Sequence, residues 1–289
     1  MRIFLTGANG FIGGGIAATL IAEGHTVRGL VRDETKAAAV RAHGIDPVLG
    51  SLDDAAVLQA EARTADAVIN TASSDHREAV VALLAGIAGS GKPFLHTSGS
   101  SIVGDEAMGE PSDAVFHEET PLVPEPDKVA RVAIDRLVTD GGGIVLCNTM
   151  IYGHTLGAPA KSVQVPLLES LARKSGTARY IGRGLNRWSN CHLADVASLY
   201  ALVLAKGTPG SFLYVESGEE ELGNVARAIG ARLGLETKSW SAEESIAAWG
   251  REMAVFGLGS NSRVRGKIAP ALGWQPKHRS IVEWITTSL

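Results

Sequence analysis

The sequence predicts an α/β protein in which a doubly wound parallel sheet carries helices on both faces. Short β-branched runs alternate with Ala-rich stretches of helical length over the first half of the chain, which is typical of successive βαβ units. A glycine-rich loop joins the first of these runs to the first helical stretch. The chain has 289 residues, 45% of them hydrophobic, so it is long enough for one large domain or two small ones.

Strands and helices follow in order from this alternation. We expect strands at Arg2–Leu5, Thr26–Val31, Asp46–Leu49, Ala67–Asn70, Phe94–Thr97, Ile144–Cys147 and Phe212–Val215. We expect helices near Gly13–Glu23, Ala55–Ala62, His76–Gly89, Lys128–Thr139 and Leu193–Ala205. Gly24 ends the first helix and the turn at 207–210 ends the fifth, because glycine fits a C-terminal cap and proline cannot continue a helix.

Charge and composition exclude several classes of protein. The chain carries 27 Lys and Arg against 31 Asp and Glu, a net charge of −4, so it has no overall basic field to attract nucleic acid or an anionic membrane. We therefore expect no nucleic-acid or membrane partner. Cys147 and Cys191 lack metal-ligand spacing, and we expect neither a disulfide framework nor a metal site. No apolar run has the length of a signal or membrane segment, which predicts a cytoplasmic protein.

The glycine-rich loop predicts a binding site for a dinucleotide cofactor. Three glycines with G-x-x-G-x-x-G spacing lie between an apolar strand and an amphipathic helix. Glycine permits a tight turn and a close approach of the backbone to a pyrophosphate, whose charge then meets free N–H groups and the positive end of the helix dipole. We assign this contact to Gly7, Asn9, Gly10, Phe11, Ile12 and Gly13.

The end of the second strand predicts which nucleotide binds. NAD enzymes place an acidic residue there for the ribose hydroxyls, whereas a basic residue can receive the 2′-phosphate of NADP. Here Val31 takes the expected position of the acid, and Arg32 follows it. We expect NADP, with NAD as the less favoured cofactor. In the alternative, Arg32 is a solvated surface charge and Asp33 binds the ribose.

Besides the glycine loop, five further segments carry recognisable sequence motifs. They are Gly-Ser-Leu-Asp at 50–53, Asn-Thr-Ala-Ser at 70–73, the serine-rich segment 96–104, Met-Ile-Tyr-Gly at 150–153 and His-Leu-Ala-Asp-Val-Ala at 192–197. With the glycine loop, they resemble the short-chain dehydrogenase/reductase superfamily, in the extended or atypical branch with epimerases, dehydratases and ketone reductases. The resemblance implies a Rossmann-like sheet, an acidic loop flanking the adenine and a fourth-strand segment along the ribose. It adds Ser51, Leu52, Thr71, Ala72 and Ser73 to the cofactor-binding residues.

The segments outside the alternation predict a smaller second lobe. We assign residues 1–150 and 188–216 to the dinucleotide-binding domain, and residues 151–187 and 217–289 to a substrate-binding lobe. Ligands of an open parallel sheet bind outside the carboxyl ends of its strands. Chain that emerges there is therefore well placed to shape the substrate pocket.

The resemblance also implies a catalytic Tyr-x-x-x-Lys pair on the helix after the fifth strand, and this chain departs from that pattern. The alignment places Asp127 at the Tyr position and Arg131 at the Lys position. An unperturbed carboxylic acid is already ionised at neutral pH, so Asp127 cannot copy the role of the Tyr. Arg131 is expected to hold the ribose or an anionic substrate, unless it forms only an i,i+4 ion pair with Asp127. Lys128 would reach the ribose if the helix register shifted by a turn.

The proton donor must then come from elsewhere. Ser98 and Ser100 end the fifth strand, where a hydroxyl can bond a substrate carbonyl, and Ser98 is the better candidate. Tyr152, just past the sixth strand, would supply a phenol from the opposite wall or only pack against the substrate.

Three functions remain open at this point. The favoured one is an NADP-dependent oxidoreductase that transfers a hydride to or from a small carbonyl or enone-type substrate. The alternatives are a non-catalytic NADP-binding redox sensor and a sugar-nucleotide epimerase or dehydratase. The partner in the favoured case is a small-molecule substrate. A homodimer is a further possibility, because the Ala-rich face of 76–89 allows close helix contact.

Overall fold

A seven-stranded parallel sheet forms the centre of the computed structural model, which describes residues 1–157 and 159–289. Its strands are β1 (Arg2–Thr6), β2 (Thr26–Val31), β3 (Asp46–Leu49), β4 (Ala67–Asn70), β5 (Phe94–Gly99), β6 (Ile144–Asn148) and β10 (Phe212–Val215). They lie in the order β10-β6-β5-β4-β1-β2-β3. This order reverses direction at β1, so β1 and β4 border the crevice in which such sheets bind ligands. The predicted doubly wound, Rossmann-like α/β fold is confirmed.

Helices cover both faces of the sheet because successive strand residues point to opposite sides. Ile3 and Leu5 of β1 pack on one face, where the apolar core includes α1 (Phe11–Ala22) and α7 (Leu193–Lys206). Phe4, between them, packs on the other face. The helices of that face are α3 (Ala55–Thr64), α4 (Arg77–Ile87) and α5 (Val129–Asp140). The short α2 (Glu34–Arg41), which the alternation did not predict, joins β2 to β3.

A second lobe is built from the remaining elements. β7 (Met150–Tyr152), β9 (Arg187–His192) and β11 (Gly218–Glu221) form a three-stranded sheet, and β8 (Thr177–Ile181) pairs with β12 (Glu236–Trp240). Its helices are α6 (Gln164–Ser175), α8 (Leu222–Leu233), α9 (Ala242–Arg251) and α11 (Ile281–Ser288). The short α10 (Ile268–Ala271) packs against β10 in the core of the central sheet, although residues 217–289 were assigned to the second lobe. β9 pairs within this small sheet, although residues 188–216 were assigned to the first domain. The domain boundaries themselves stay a prediction.

Within the two described ranges, no helix is both long enough and apolar enough to cross a bilayer.

Candidate active site

The glycine loop packs so tightly against the end of β4 that only glycine fits. Gly7 has φ of 73°, and its carbonyl accepts the backbone N–H of Gly10 at 2.9 Å. A Cβ on Gly7 would lie 2.7 Å from Thr71 Oγ1, and a Cβ on Gly13 would lie 2.3 Å from the Gly7 carbonyl oxygen. The loop leads into α1, whose first turn holds only apolar residues and glycine. The N–H groups of that turn are therefore well placed for an anion, and the predicted pyrophosphate fits this cradle.

A cavity of about 320 Å³ extends from this loop toward the ends of β2 and β3. Among the predicted cofactor residues, its lining contains Gly7, Asn9, Gly10, Arg32, Ser51, Leu52, Thr71 and Ala72. Ser73 lies next to this lining, and its hydroxyl accepts the backbone N–H of Asp75 at 3.3 Å.

Two acidic side chains near this cavity, those of Asp33 and Asp53, are bound to other partners. Asp33 caps α2, where its carboxylate accepts the backbone N–H of Lys36 at 2.8 Å. That contact holds the pKa of Asp33 below its ordinary value. Asp53 binds Nε2 of His76 at 3.0 Å. Arg32 is the charged side chain on the lining.

A second cavity, of about 340 Å³, continues the groove over the ends of β5 and β6. It shares Gly10 and Thr71 with the first cavity, so the two form one groove. Phe11, Ile12 and Gly13 line it as predicted. Its lining also includes residues that sequence reasoning did not single out: Asn148, Thr149, Ile151, Lys161, Ser162, Val163 and Gln164.

Ser98 is the predicted catalytic residue that the structure brings to this cavity. Its hydroxyl donates a hydrogen bond of 2.7 Å to Asp135 Oδ2, and both side chains are buried. Burial raises the pKa of Asp135 to about 7, against the opposing effects of the Ser98 hydrogen bond and the Arg131 charge. Asp135 was not predicted. The signal for it was available, because it lies three residues from both Val132 and Val138 on the apolar stripe of α5.

Behind Ser98, a buried histidine contacts two further polar side chains. His96 Nδ1 is 3.0 Å from Asn70 Nδ2, and the Asn70 Oδ1 accepts the Thr6 hydroxyl at 2.5 Å. His96 Nε2 is 3.9 Å from Asp135 Oδ1. Burial lowers the pKa of His96 to about 4, so its neutral form is favoured.

Arg131 stands beside the cavity and not in an intrahelical pair. Its Nε donates to Asp75 Oδ1 at 2.8 Å, and its Nη1 donates to the Ser101 hydroxyl at 3.0 Å. A Cβ on Gly99 would lie 3.6 Å from Arg131 Nη1. Asp127 is bound instead to Arg251, with an Nε–Oδ2 distance of 3.4 Å. The alternative of an Asp127–Arg131 ion pair is therefore wrong, because each side chain has a different partner.

Two candidate residues point away from the cavity. Lys128 is 2% exposed; its ammonium pairs with Glu252 and lies 4.6 Å from the centre of the Phe256 ring. Lys128 does not line either cavity of the groove as the structure describes them, so the prediction that it reaches the ribose is not supported. The Ser100 hydroxyl accepts the Ser262 hydroxyl at 2.8 Å in the protein interior. Ser100 begins a 3-10 turn directly after β5, and this turn directs its side chain away from that of Ser98.

Tyr152 is not at the cavity either. Its ring is fully buried and packs against His192 and Trp284, at centroid distances of 5.3 and 5.7 Å. The reason is strand alternation: Ile151, its neighbour in β7, lines the cavity, so Tyr152 points to the opposite side. Tyr152 is not among the described residues that line this cavity, so its phenol does not form the predicted opposite wall.

Comparison of the sequence with known protein families identifies a family that matches the groove and its glycine cradle. Residues 3–213 match the model of the NAD dependent epimerase/dehydratase family. The chain belongs to this family. The resemblance to the extended branch of the short-chain dehydrogenases is thereby confirmed.

Individual relatives span nearly the whole chain. An uncharacterized protein of Schizosaccharomyces pombe is 31% identical over 98% of this chain and 97% of its own length. An oxidase of an Acremonium species is 30% identical over 95% of this chain and 92% of its own length. A ketoreductase of Stigmatella aurantiaca acting on a farnesylated dihydroquinoline oxide is 26% identical over 75% of this chain and 69% of its own length.

Solved structures of the family share the fold. A dTDP-glucose 4,6-dehydratase from Bacillus anthracis, crystallised with NAD, superposes with a TM-score of 0.78 over 100% of this chain and 97% of its own. The two sequences are 19% identical, so this likeness shows the fold alone.

Proposed function

We propose that this protein is an NADP-dependent oxidoreductase that transfers a hydride to or from a small carbonyl or enone-type substrate. The observation that carries the proposal is the single groove with Arg32 at one end and Ser98 at the other. Membership of an NAD-dependent family and relatives named as an oxidase and a ketoreductase support an oxidoreductase.

Arg32 and Asp33 favour NADP over NAD. A ribose-binding acid would need a free carboxylate facing the groove, and the Asp33 carboxylate instead caps α2. The guanidinium of Arg32 suits a 2′-phosphate, because it offers several donors and a permanent charge. The pyrophosphate would lie on the N–H groups of the glycine loop, and the nicotinamide end would reach the cavity over β5 and β6.

The walls of that cavity suit a small, mostly apolar substrate. Phe11, Ile12, Ile151 and Val163 supply apolar surface, and Ser98 places a hydroxyl among them. When bound, NADPH would supply the hydride. The chain's own part is to orient the substrate carbonyl toward Ser98, exclude water with the apolar wall and stabilise charge on the substrate oxygen.

Calorimetric titration with NADPH and NADH tests the cofactor. We expect NADPH to bind at least about tenfold more tightly, which corresponds to about 1.4 kcal/mol, and Arg32→Ala to erase this preference. Arg41→Ala is the matched control, because it removes an exposed arginine in the last turn of α2. Equal affinity for both nucleotides in the wild type would overturn the NADP assignment.

A turnover screen tests the reaction. Small ketones, aldehydes and enones are incubated with NADPH, and its oxidation is followed by absorbance. We expect steady oxidation with at least one class of carbonyl compound. Tight NADPH binding with no oxidation across the panel would favour the redox sensor. A rearranged nucleotide sugar, formed without net consumption of cofactor, would favour the epimerase or dehydratase.

A further inference from the structure

We propose that Ser98 and Asp135 form a proton relay in which the Ser98 hydroxyl protonates the substrate oxygen and Asp135 returns a proton to Ser98. This inference rests on the proposed hydride-transfer function and concerns the source of the proton in that reaction. Ser98 is the residue that would touch the substrate, and Asp135 acts through it.

The tyrosines of this chain do not reach the groove. The chain has four tyrosines. Tyr152, Tyr200 and Tyr214 are at most 1% exposed, and Tyr180 lies in β8 of the second lobe. None of the four is among the described residues that line the cavity over β5 and β6. The phenol that serves related enzymes must therefore be replaced by another group.

The hydroxyl groups on this cavity are those of Thr71, Ser98, Thr149 and Ser162, and among the described residues only Ser98 bonds a carboxyl group. Thr71 donates its hydroxyl proton to the Thr6 carbonyl, and Thr149 donates to the Val215 carbonyl, each at 2.7 Å. A carbonyl oxygen has no proton to return. Ser98 instead bonds a carboxyl group, which both accepts and releases protons.

The hydrogen bonds around His96 orient the carboxyl of Asp135. Because the Asn70 Oδ1 accepts the Thr6 hydroxyl, its Nδ2 faces His96 as a donor, and His96 Nδ1 is then the acceptor. The ring hydrogen therefore lies on Nε2, 3.9 Å from Asp135 Oδ1. Within the described part of the chain, neither of these two buried atoms has a hydrogen-bond partner. With an N–H facing Oδ1, the proton of the neutral carboxyl belongs on Oδ2, where it is donated to Ser98 Oγ and leaves the Ser98 hydrogen free to face the substrate. When Asp135 is ionised, the direction is the opposite, and the Ser98 hydroxyl donates to Oδ2.

The groups that face Asp135 come from several elements. β5 contributes Ser98 and His96, and Arg131 lies one turn earlier on α5. Asp75, beyond Arg131, adds a negative charge. The Cys147 thiol of β6 and the Tyr214 phenol of β10 are the remaining titratable neighbours, and burial raises the pKa of each. Burial also places the pKa of Asp135 at about 7, so this carboxyl exchanges a proton near neutral pH.

The relay balances in protons and electrons. Bound NADPH would supply the hydride to the substrate carbonyl carbon, and the π-electron pair of the carbonyl would move to the oxygen. That oxygen takes the proton of the Ser98 hydroxyl as Ser98 Oγ takes the proton from Asp135 Oδ2. Asp135 is left as a carboxylate, whose charge Arg131 offsets, and it regains a proton from solvent after the product leaves. In the reverse direction, the Asp135 carboxylate is the base.

Carbon-13 NMR of the cofactor-free protein, labelled at the aspartate carboxyl carbons, tests the relay without turnover. We expect one resonance with a midpoint near pH 7 that disappears in Asp135→Asn. In Ser98→Ala the midpoint should rise, because a hydrogen bond to the carboxylate is lost. Asp195→Asn is the control: Asp195 is equally buried but binds the backbone N–H groups of Lys277 and His278. An Asp135 midpoint near 4 in the wild type would overturn the relay.

The pH profile of turnover is the second readout. We expect wild-type kcat for carbonyl reduction to fall as the pH rises through about 7, since reduction uses the protonated carboxyl. Asp135→Asn should lower kcat at least tenfold, remove this pH dependence and leave NADPH affinity unchanged. Ser98→Ala should also lose activity, and Ser98→Thr should restore much of it.

Failure of the relay is distinguishable from failure of the proposed function. If Asp135→Asn keeps the wild-type kcat and pH profile, the relay is overturned and the oxidoreductase stands. The same holds if Lys161→Gln, at the cavity rim, abolishes the pH dependence instead. If the wild type binds NADPH but oxidises it with none of the ketones, aldehydes and enones, both are overturned.

Discussion

The Asp33 carboxylate accepts the backbone N–H of Lys36 and thereby serves as the N-terminal cap of α2. Because of this cap, we do not expect Asp33 to bind the cofactor ribose as the corresponding acid does in NAD enzymes. The cap occupies the carboxylate and leaves Arg32, one residue earlier, on the cavity wall.

Asp33→Ala tests whether Asp33 only caps α2 or also binds the cofactor ribose. We expect a small loss of thermal stability, because the first turn of α2 loses its cap, and no gain in NADH affinity relative to NADPH. Melting curves and calorimetric titration measure the two effects. Asp33→Ser, which keeps a capping hydroxyl, should retain most of the stability. A marked loss of NADH affinity in both variants would show that Asp33 binds the ribose.

Gly13→Ala should disrupt the cofactor cradle. Its Cβ would lie 2.3 Å from the Gly7 carbonyl oxygen, a backbone atom that cannot move without reshaping the loop. We expect a loss of about 1–3 kcal/mol in the free energy of unfolding, together with loss of nucleotide binding. Gly99→Ala is the control for stability, since its Cβ would lie 3.6 Å from Arg131 Nη1, an ordinary contact. Equal stability of the two variants would contradict the packing argument.

Much of the first domain was predictable because most of its strands are buried apolar runs. β2, β3, β4 and β10 have the bounds predicted from sequence, and β5 extends two residues further, to Gly99. β9 escaped prediction because its polar side chains, such as Asn190, are buried by contacts that come from distant parts of the chain. Hydrophobic periodicity in a sequence predicts which residues face water and which face the core. It does not predict which polar side chains become buried when distant segments pack together.

The same limit applies to the site. Ser98 was predictable because it stands at the end of a central strand, where ligands of such sheets bind. Asp135 was not, since its role depends on a contact between α5 and β5 that joins residues 37 positions apart. The prediction for Tyr152 was wrong because successive residues of a strand point to opposite sides, and in β7 it is Ile151 that faces the cavity.

Glu252→Gln should destabilise the protein. The Lys128 ammonium is buried and pairs with Glu252, so the variant leaves a buried charge without its carboxylate. We expect a loss of about 1–3 kcal/mol in the free energy of unfolding, measured in urea. Lys128→Met should cost less, because an apolar chain can pack against Phe256. If Glu252→Gln is neutral, solvent alone satisfies Lys128 and the ion pair is not stabilising.

Asp135 should also leave a signature in the pH dependence of stability. Its pKa is about 7 in the folded protein and about 3.8 when unfolded, so the folded state binds more protons between these values. The contribution of Asp135 is therefore fully present below about pH 4 and is lost as the pH rises through about 7. Wild-type stability should fall relative to Asp135→Asn across this window, by at most about 1.4 kcal/mol per pH unit.

The comparison of wild type with Asp135→Asn is needed because the neighbouring His96 changes the stability with pH in the opposite direction. The pKa of His96 is lowered to about 4, so its contribution is lost as the pH falls below about 6.5. Wild type and Asp135→Asn share His96, and the difference between their unfolding free energies cancels its contribution. Urea unfolding at several values from pH 4 to pH 8 measures that difference. A difference that stays constant over the whole range would mean that Asp135 is ionised throughout, and an ionised Asp135 has no proton to return to Ser98.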